Sequence, residues 1–225
     1  MCSLTLYPVD CRCQYTGVWF ELMAKRLTAQ DWIDFALTTL INEGFDALKA
    51  DVLARKLGVS RGSFYWHFTD LGAFHARVIE HWKQVATEAI IADIERYGSL
   101  EKRLEVLLRR AFGQSAVLEI RMRAWADNNA EAAQALDDVD HRRRGYLEQL
   151  LLEARIAPPL AATRTQVLYW AYLGAALSRS RLTGERLDRM VAELKQIGLG
   201  LSAKFAGIGD GHQRRLPRRQ RIAST

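Results

Sequence analysis

An all-α fold is predicted for this chain on three grounds. Apolar residues recur at three- and four-residue spacing along most of its 225 residues, stretches alternating apolar with polar residues are few, and only 4 prolines and 15 glycines interrupt it. With 49% hydrophobic and 26% charged residues, it can bury one or two ordinary cores without metals or disulfides. The helices group as an N-terminal domain over 24–74, a long linking helix, and a second helical domain over 75–205. Residues 1–23 read as an extension or a misassigned start, and 206–225 as a basic disordered tail.

The first helix spans Thr28 to about Glu43, where Trp32, Ile33, Ala36, Leu37, Leu40 and Ile41 form one apolar face. Thr28 can cap it, Asp31 lies near the positive end of its dipole, and Gly44 suits a left-handed stop. A short helix over Ala50–Leu57 ends at Gly58, and another begins after Ser60, whose hydroxyl can cap it. Asp70 can start a long helix to about Tyr97, with Ile79, Trp82, Ala86, Ile90 and Ile94 as its stripe. Ser99 opens the next, carrying Leu104, Leu108 and Phe112, and segments over Ala116–Trp125 and Ala130–Ala154 follow. Pro158-Pro159 reads as a break before helices over Ala161–Ser180 and Gly184–Leu201.

Composition narrows the function classes. All 3 cysteines, Cys2, Cys11 and Cys13, lie in the first thirteen residues with no histidine nearby, so neither a disulfide framework nor a metal site is expected. His67, His75 and His81 do not have the spacing of a helical zinc pair. No secretory signal or membrane-length apolar segment is evident, and the chain reads as cytoplasmic, with no membrane partner and no cofactor. A Ser-His-Asp order, a carboxylate pair or a phosphate loop in a supporting context is not found, which argues against an enzyme. The net charge of +6 sits mostly in the tail, where six basic residues face one acid from Lys204 to Thr225.

The run from Ala50 to Phe68 has helix-turn-helix spacing. Ala54 lets two short helices cross closely, Gly58 permits the tight turn, Val59 plugs its underside, and Phe64 and Phe68 anchor the second helix. Arg61, Gly62, Ser63 and Trp66 then face outward, as a helix entering a major groove requires. Arg61 can donate twice to a guanine edge, Ser63 can bond bases or phosphates, and Tyr65 and His67 can reach phosphates. Thr28, Lys49 and Ser60 complete the candidate DNA-binding set.

From Thr28 to about Trp82 the chain resembles the tetracycline-repressor (TetR) family. The likeness rests on Ala36, Gly44, Leu53-Ala54, Leu57-Gly58-Val59-Ser60, Gly62-Ser63-Phe64-Tyr65 and His67-Phe68. It implies a homodimer that binds a palindromic, inverted-repeat operator in double-stranded DNA, and a small-molecule effector, still unidentified, that releases a repressor. One departure is Thr69-Asp70-Leu71-Gly72, where many relatives place a phosphate-binding lysine. Residues 24–82 are also charge-neutral, with seven basic and seven acidic side chains. The alternative is therefore a helical interaction or ligand-binding protein whose helix-turn-helix is degenerate.

The resemblance also places the effector and the partner chain. Trp82, Phe112, Met122, Trp125, Tyr146, Tyr169 and Trp170 lie on helices that surround the family's cavity, and each taken alone reads more readily as a core residue than as a pocket residue. The last two helices would form a four-helix bundle with their copies through Leu168, Ala171, Gly174, Ala175, Leu187, Met190, Val191 and Leu194. These stripes could instead complete the core of a single chain.

Overall fold

A computed structural model describes residues 27–178 and 182–200, so the extension over 1–23 and the tail over 206–225 lie outside the described residues. Helix α1 (Ala29–Glu43) starts in a capping box: the Asp31 N–H donates to Thr28 Oγ1 at 3.2 Å, and the Asp31 carboxylate accepts from the Thr28 N–H at 2.7 Å. Gly44 ends it at φ +89°, and a 3-10 turn (Phe45–Ala47) leads to α2 (Ala50–Leu57). Gly58, at φ +68° and ψ 26°, is the left-handed residue that turns the chain toward α3 (Arg61–His67).

Asp70 accepts from the Ala73 N–H at 2.8 Å and opens α4 (Leu71–Lys83), which runs through a π turn (Gln84–Glu88) into α5 (Ala89–Ile94). The expected uninterrupted stripe through Ala86 and Ile90 is therefore corrected. Burial passes from Trp82 to Thr87 and Ile91 and returns to the expected Ile94, with Ala86 and Ile90 only partly buried beside them, because the π turn accommodates one extra residue.

The remaining helices are α6 (Leu100–Gly113), α7 (Val117–Ala126), α8 (Ala130–Glu153), α9 (Pro158–Leu177) and α10 (Gly184–Leu199). Ser99 caps α6 and Asn129 caps α8 by accepting first-turn N–H groups. Pro158 and Pro159 lie inside the first turn of α9 rather than ahead of it, a position where no N–H is needed. Arg164 ties the last two helices together, donating to the carbonyls of Gly198 and Gly200 at 2.9 and 2.7 Å.

Three apolar clusters hold these elements. The first joins Trp32, Phe64, Phe74 and Trp82 to Met122, Trp125 and Ala132, so the core of the helix-turn-helix half continues into α7 and α8. Each fully buried Phe or Met among them contributes about 1.5–3 kcal/mol relative to exposure. The second packs Leu104, Leu108 and Phe112 against Leu147, Leu168, Val191 and Leu194. The third combines Ile91 and Ile94 with Tyr146 and Leu150, and the Tyr146 hydroxyl donates to Glu95 at 2.6 Å. That bond holds the exposed Glu95 carboxyl below its ordinary range.

Candidate nucleic-acid interface

Helix α3 is anchored by one buried face. Phe64 is fully buried, with Trp32 edge-on at 5.4 Å and Phe74 edge-on at 5.0 Å, and Phe68 packs beside it at 5.1 Å. The opposite edge is open: Arg61 and Gly62 are exposed, Ser63 is partly so, and Trp66 is 73% exposed. Arg61 lies over the Tyr65 ring and donates to its hydroxyl at 3.0 Å, and this bond raises the guanidinium above its ordinary pKa. Gly62 has no left-handed conformation, and a Cβ built there would meet only Ser60 Oγ at 3.6 Å. Among the described residues its smallness thus serves no packing need. Ser60 holds the N-cap position with an extended backbone, but its hydroxyl makes no capping bond, contrary to expectation.

His67 is also corrected as a phosphate donor. One ring nitrogen, Nε2, lies 2.8 Å from the Leu27 carbonyl and must donate to it. A neutral ring then has only an acceptor at Nδ1, which repels a phosphate oxygen. Lys49 is exposed at the start of α2, and Thr28 is exposed at the start of α1 while serving the capping box.

Comparison with known proteins bears on this geometry. Residues 33–70 match the family model for bacterial regulatory proteins, tetR family. The chain carries the TetR-family domain and fold. Its TetR-like architecture is shared with reduced NemR of E. coli, at 20% identity and a TM-score of 0.62, covering 75% of this chain and 96% of that one. It is shared with the fatty acid degradation regulator FadR of Bacillus halodurans, at 16% identity and TM-score 0.56, with coverages of 76% and 94%. The superantigen PfiT has it too, at 19% identity and TM-score 0.58, with coverages of 74% and 93%. At such identities the likeness is one of fold. No curated protein matches the chain significantly by sequence.

In the C-terminal half of this TetR-like chain, the pocket candidates do not converge on one cavity. Trp82, Met122 and Trp125 belong to the first apolar cluster, Phe112 to the second and Tyr146 to the third. Trp170 is 63% exposed on α9. Tyr169 instead joins a buried polar cluster that the sequence reading missed, donating to Asp140 at 2.6 Å. Glu119, 6% exposed, accepts from Arg123 Nη2 at 2.6 Å and from Arg143 Nη1 at 2.8 Å. Arg123 also donates to Asp140 at 2.8 Å. Burial opposes ionisation of Glu119, but the two guanidiniums outweigh it and keep the carboxyl below its ordinary pKa. The sequence signal was present as Glu119 and Arg123 one helical turn apart, a pattern that reads as a solvated pair unless burial is known.

The expected dimer face is corrected in the same way. Leu168, Val191 and Leu194 are buried inside the second cluster, with Ala171, Ala175 and Leu187 packed against it. The outward stripe consists of Val167, Trp170, Gly174 and Leu177 on α9 and Met190 and Ile197 on α10. The residues expected at the interface thus lie mostly on the inward faces of these two helices, and both faces of α9 are apolar.

Among the described residues no helix is long and apolar enough to cross a membrane, and no group of three or more His, Cys, Asp or Glu could hold a metal ion.

Proposed function

We propose that this chain is a sequence-specific DNA-binding transcription regulator, and specifically a repressor released from an inverted-repeat operator by a small-molecule effector. The observation that carries this reading is the outward edge of α3. Arg61, Ser63 and Trp66 flank a glycine that meets no packing need among the described residues, and a small residue there admits a DNA backbone or base edge. The absence of bulk positive charge across 24–82 means that affinity depends on local placement, chiefly Arg61 and Lys49.

The protein acts as a homodimer through the exposed apolar stripe of α9 and α10, because large apolar side chains such as Trp170 and Leu177 are poorly accommodated in water. Two recognition helices then meet two half-sites, and an effector acts by favouring one separation of them. Selection of duplexes from a random pool, followed by retardation of the enriched fragment by wild type and by Gly62→Val, tests the reading. An enriched inverted repeat bound by wild type and lost on substitution supports it. Failure to enrich any sequence would leave the degenerate helix-turn-helix alternative standing.

A further inference from the structure

The linking helix does not pass from one half to the other as a plain α-helix. At its π turn the Ala89 N–H donates to the Gln84 carbonyl, five residues back. A π turn carries one more residue than the α turn it replaces, and it persists where a side chain enters the opened hydrogen-bond ladder. Here that side chain is Arg143. Its Nη2 donates to the Ala86 carbonyl at 3.2 Å and its Nε to Thr87 Oγ1 at 3.2 Å, while Nη1 holds Glu119 on α7 at 2.8 Å. Lys83 lies 3.5 Å from Asp138, and Arg142 Nε donates to Glu88 at 3.0 Å, so both ends of the turn are fastened to α8.

We propose that Gln84–Glu88 is a two-state joint, latched in its π form by Arg143 and losing its helical hydrogen bonds locally when the latch opens. The turn stands between two separately packed segments. Trp82 belongs to the core of the helix-turn-helix half, and Ile91 to the cluster with Tyr146 and Leu150. Each helical residue fixes about 100° of rotation and 1.5 Å of rise, so the two ends are held in one register only while the bonds of the turn stand. Opening the latch at Arg143 thereby frees one half to turn against the other. The polar cluster gives the latch its two-state character, because a buried guanidinium must keep its partners or exchange all of them together. The regulatory meaning of the joint rests on the transcription-regulator reading; its existence does not.

Amide hydrogen exchange on the full chain tests the joint without DNA or effector. In Arg143→Met the amides of residues 85–92 are expected to exchange at least about ten-fold faster than in wild type, since charge-assisted bonds to the turn are lost, while those of residues 33–40 keep their rate. Wild-type exchange at 85–92 in the folded variant would overturn the latch. Should that variant not fold, Glu119→Met with Arg143→Met removes both buried charges and is read in the same way. Failure of the wild type to bind a selected duplex would count against the regulator reading alone and leave the exchange result intact.

Discussion

Phe45 lies nearly flat on Trp125, with ring centroids 4.6 Å apart and planes 22° from parallel. His75 meets both rings, at 5.1 Å from Phe45 and 5.5 Å from Trp125. The three come from the turn after α1, from α7 and from α4, so this aromatic joint couples the helix-turn-helix half to the rest of the chain. Close by, the Arg121 guanidinium stands 3.4 Å from where a Cβ on Gly44 would lie.

Trp125 is 1% exposed, and Trp125→Ala empties this joint. Stability measured by urea unfolding is expected to fall by about 3–5 kcal/mol, the range for deletion of a large buried aromatic. A loss under about 1 kcal/mol would show that the joint is not tightly packed.

His75 gives this joint a pH dependence. Burial lowers its pKa from the ordinary 6.5, against the Leu48 carbonyl, which accepts from Nε2 at 2.9 Å, and against the nearby Glu131. The unfolded chain therefore takes up the proton first. The stabilising contribution is complete above pH 6.5 and is lost as pH falls from there toward the lower folded value. Wild type should lose stability relative to His75→Gln as the pH falls through 6.5, and parallel stability profiles would remove His75 as the cause.

Arg61→Ala should weaken binding to the selected duplex roughly ten- to hundred-fold and relax the preference at one base position. Lys49→Ala should instead weaken binding to all duplexes alike and lower the slope of affinity against salt by about one. Fluorescence anisotropy titrations at several salt concentrations distinguish the two effects. Equal loss on every sequence from Arg61→Ala would reassign that side chain to phosphate.

Trp170 and Leu177 stand exposed on the outward stripe of α9. Sedimentation equilibrium is expected to give twice the chain mass of 25.6 kDa for wild type and the single mass for Trp170→Glu. The buried Leu168 provides the contrast. Leu168→Ala should lower stability by about 2–5 kcal/mol and leave a folded dimer, whereas an unaltered dimer in Trp170→Glu would place the interface elsewhere.

Much of this architecture was determined by the sequence itself, because helix periodicity, caps and turn residues are local properties. Thr28 with Asp31, Gly58 in its left-handed turn, and Phe64 and Phe68 on one face of α3 each follow from spacing and backbone chemistry within a few residues. Tertiary structure alone decided which face of an evenly apolar helix turns inward, as Leu168 and Trp170 show on α9. It also decided that His67 spends its donor on Leu27 and that Glu119, Arg123 and Arg143 are buried together. Those outcomes depend on partners far away in the chain, and the free energy of a charge or an aromatic ring is set by what surrounds it rather than by its neighbours in sequence. The π turn belongs to the second level: the sequence reads as a continuous α-helical stripe there, and it is Arg143, reaching over from α8, that bonds the Ala86 carbonyl within the turn.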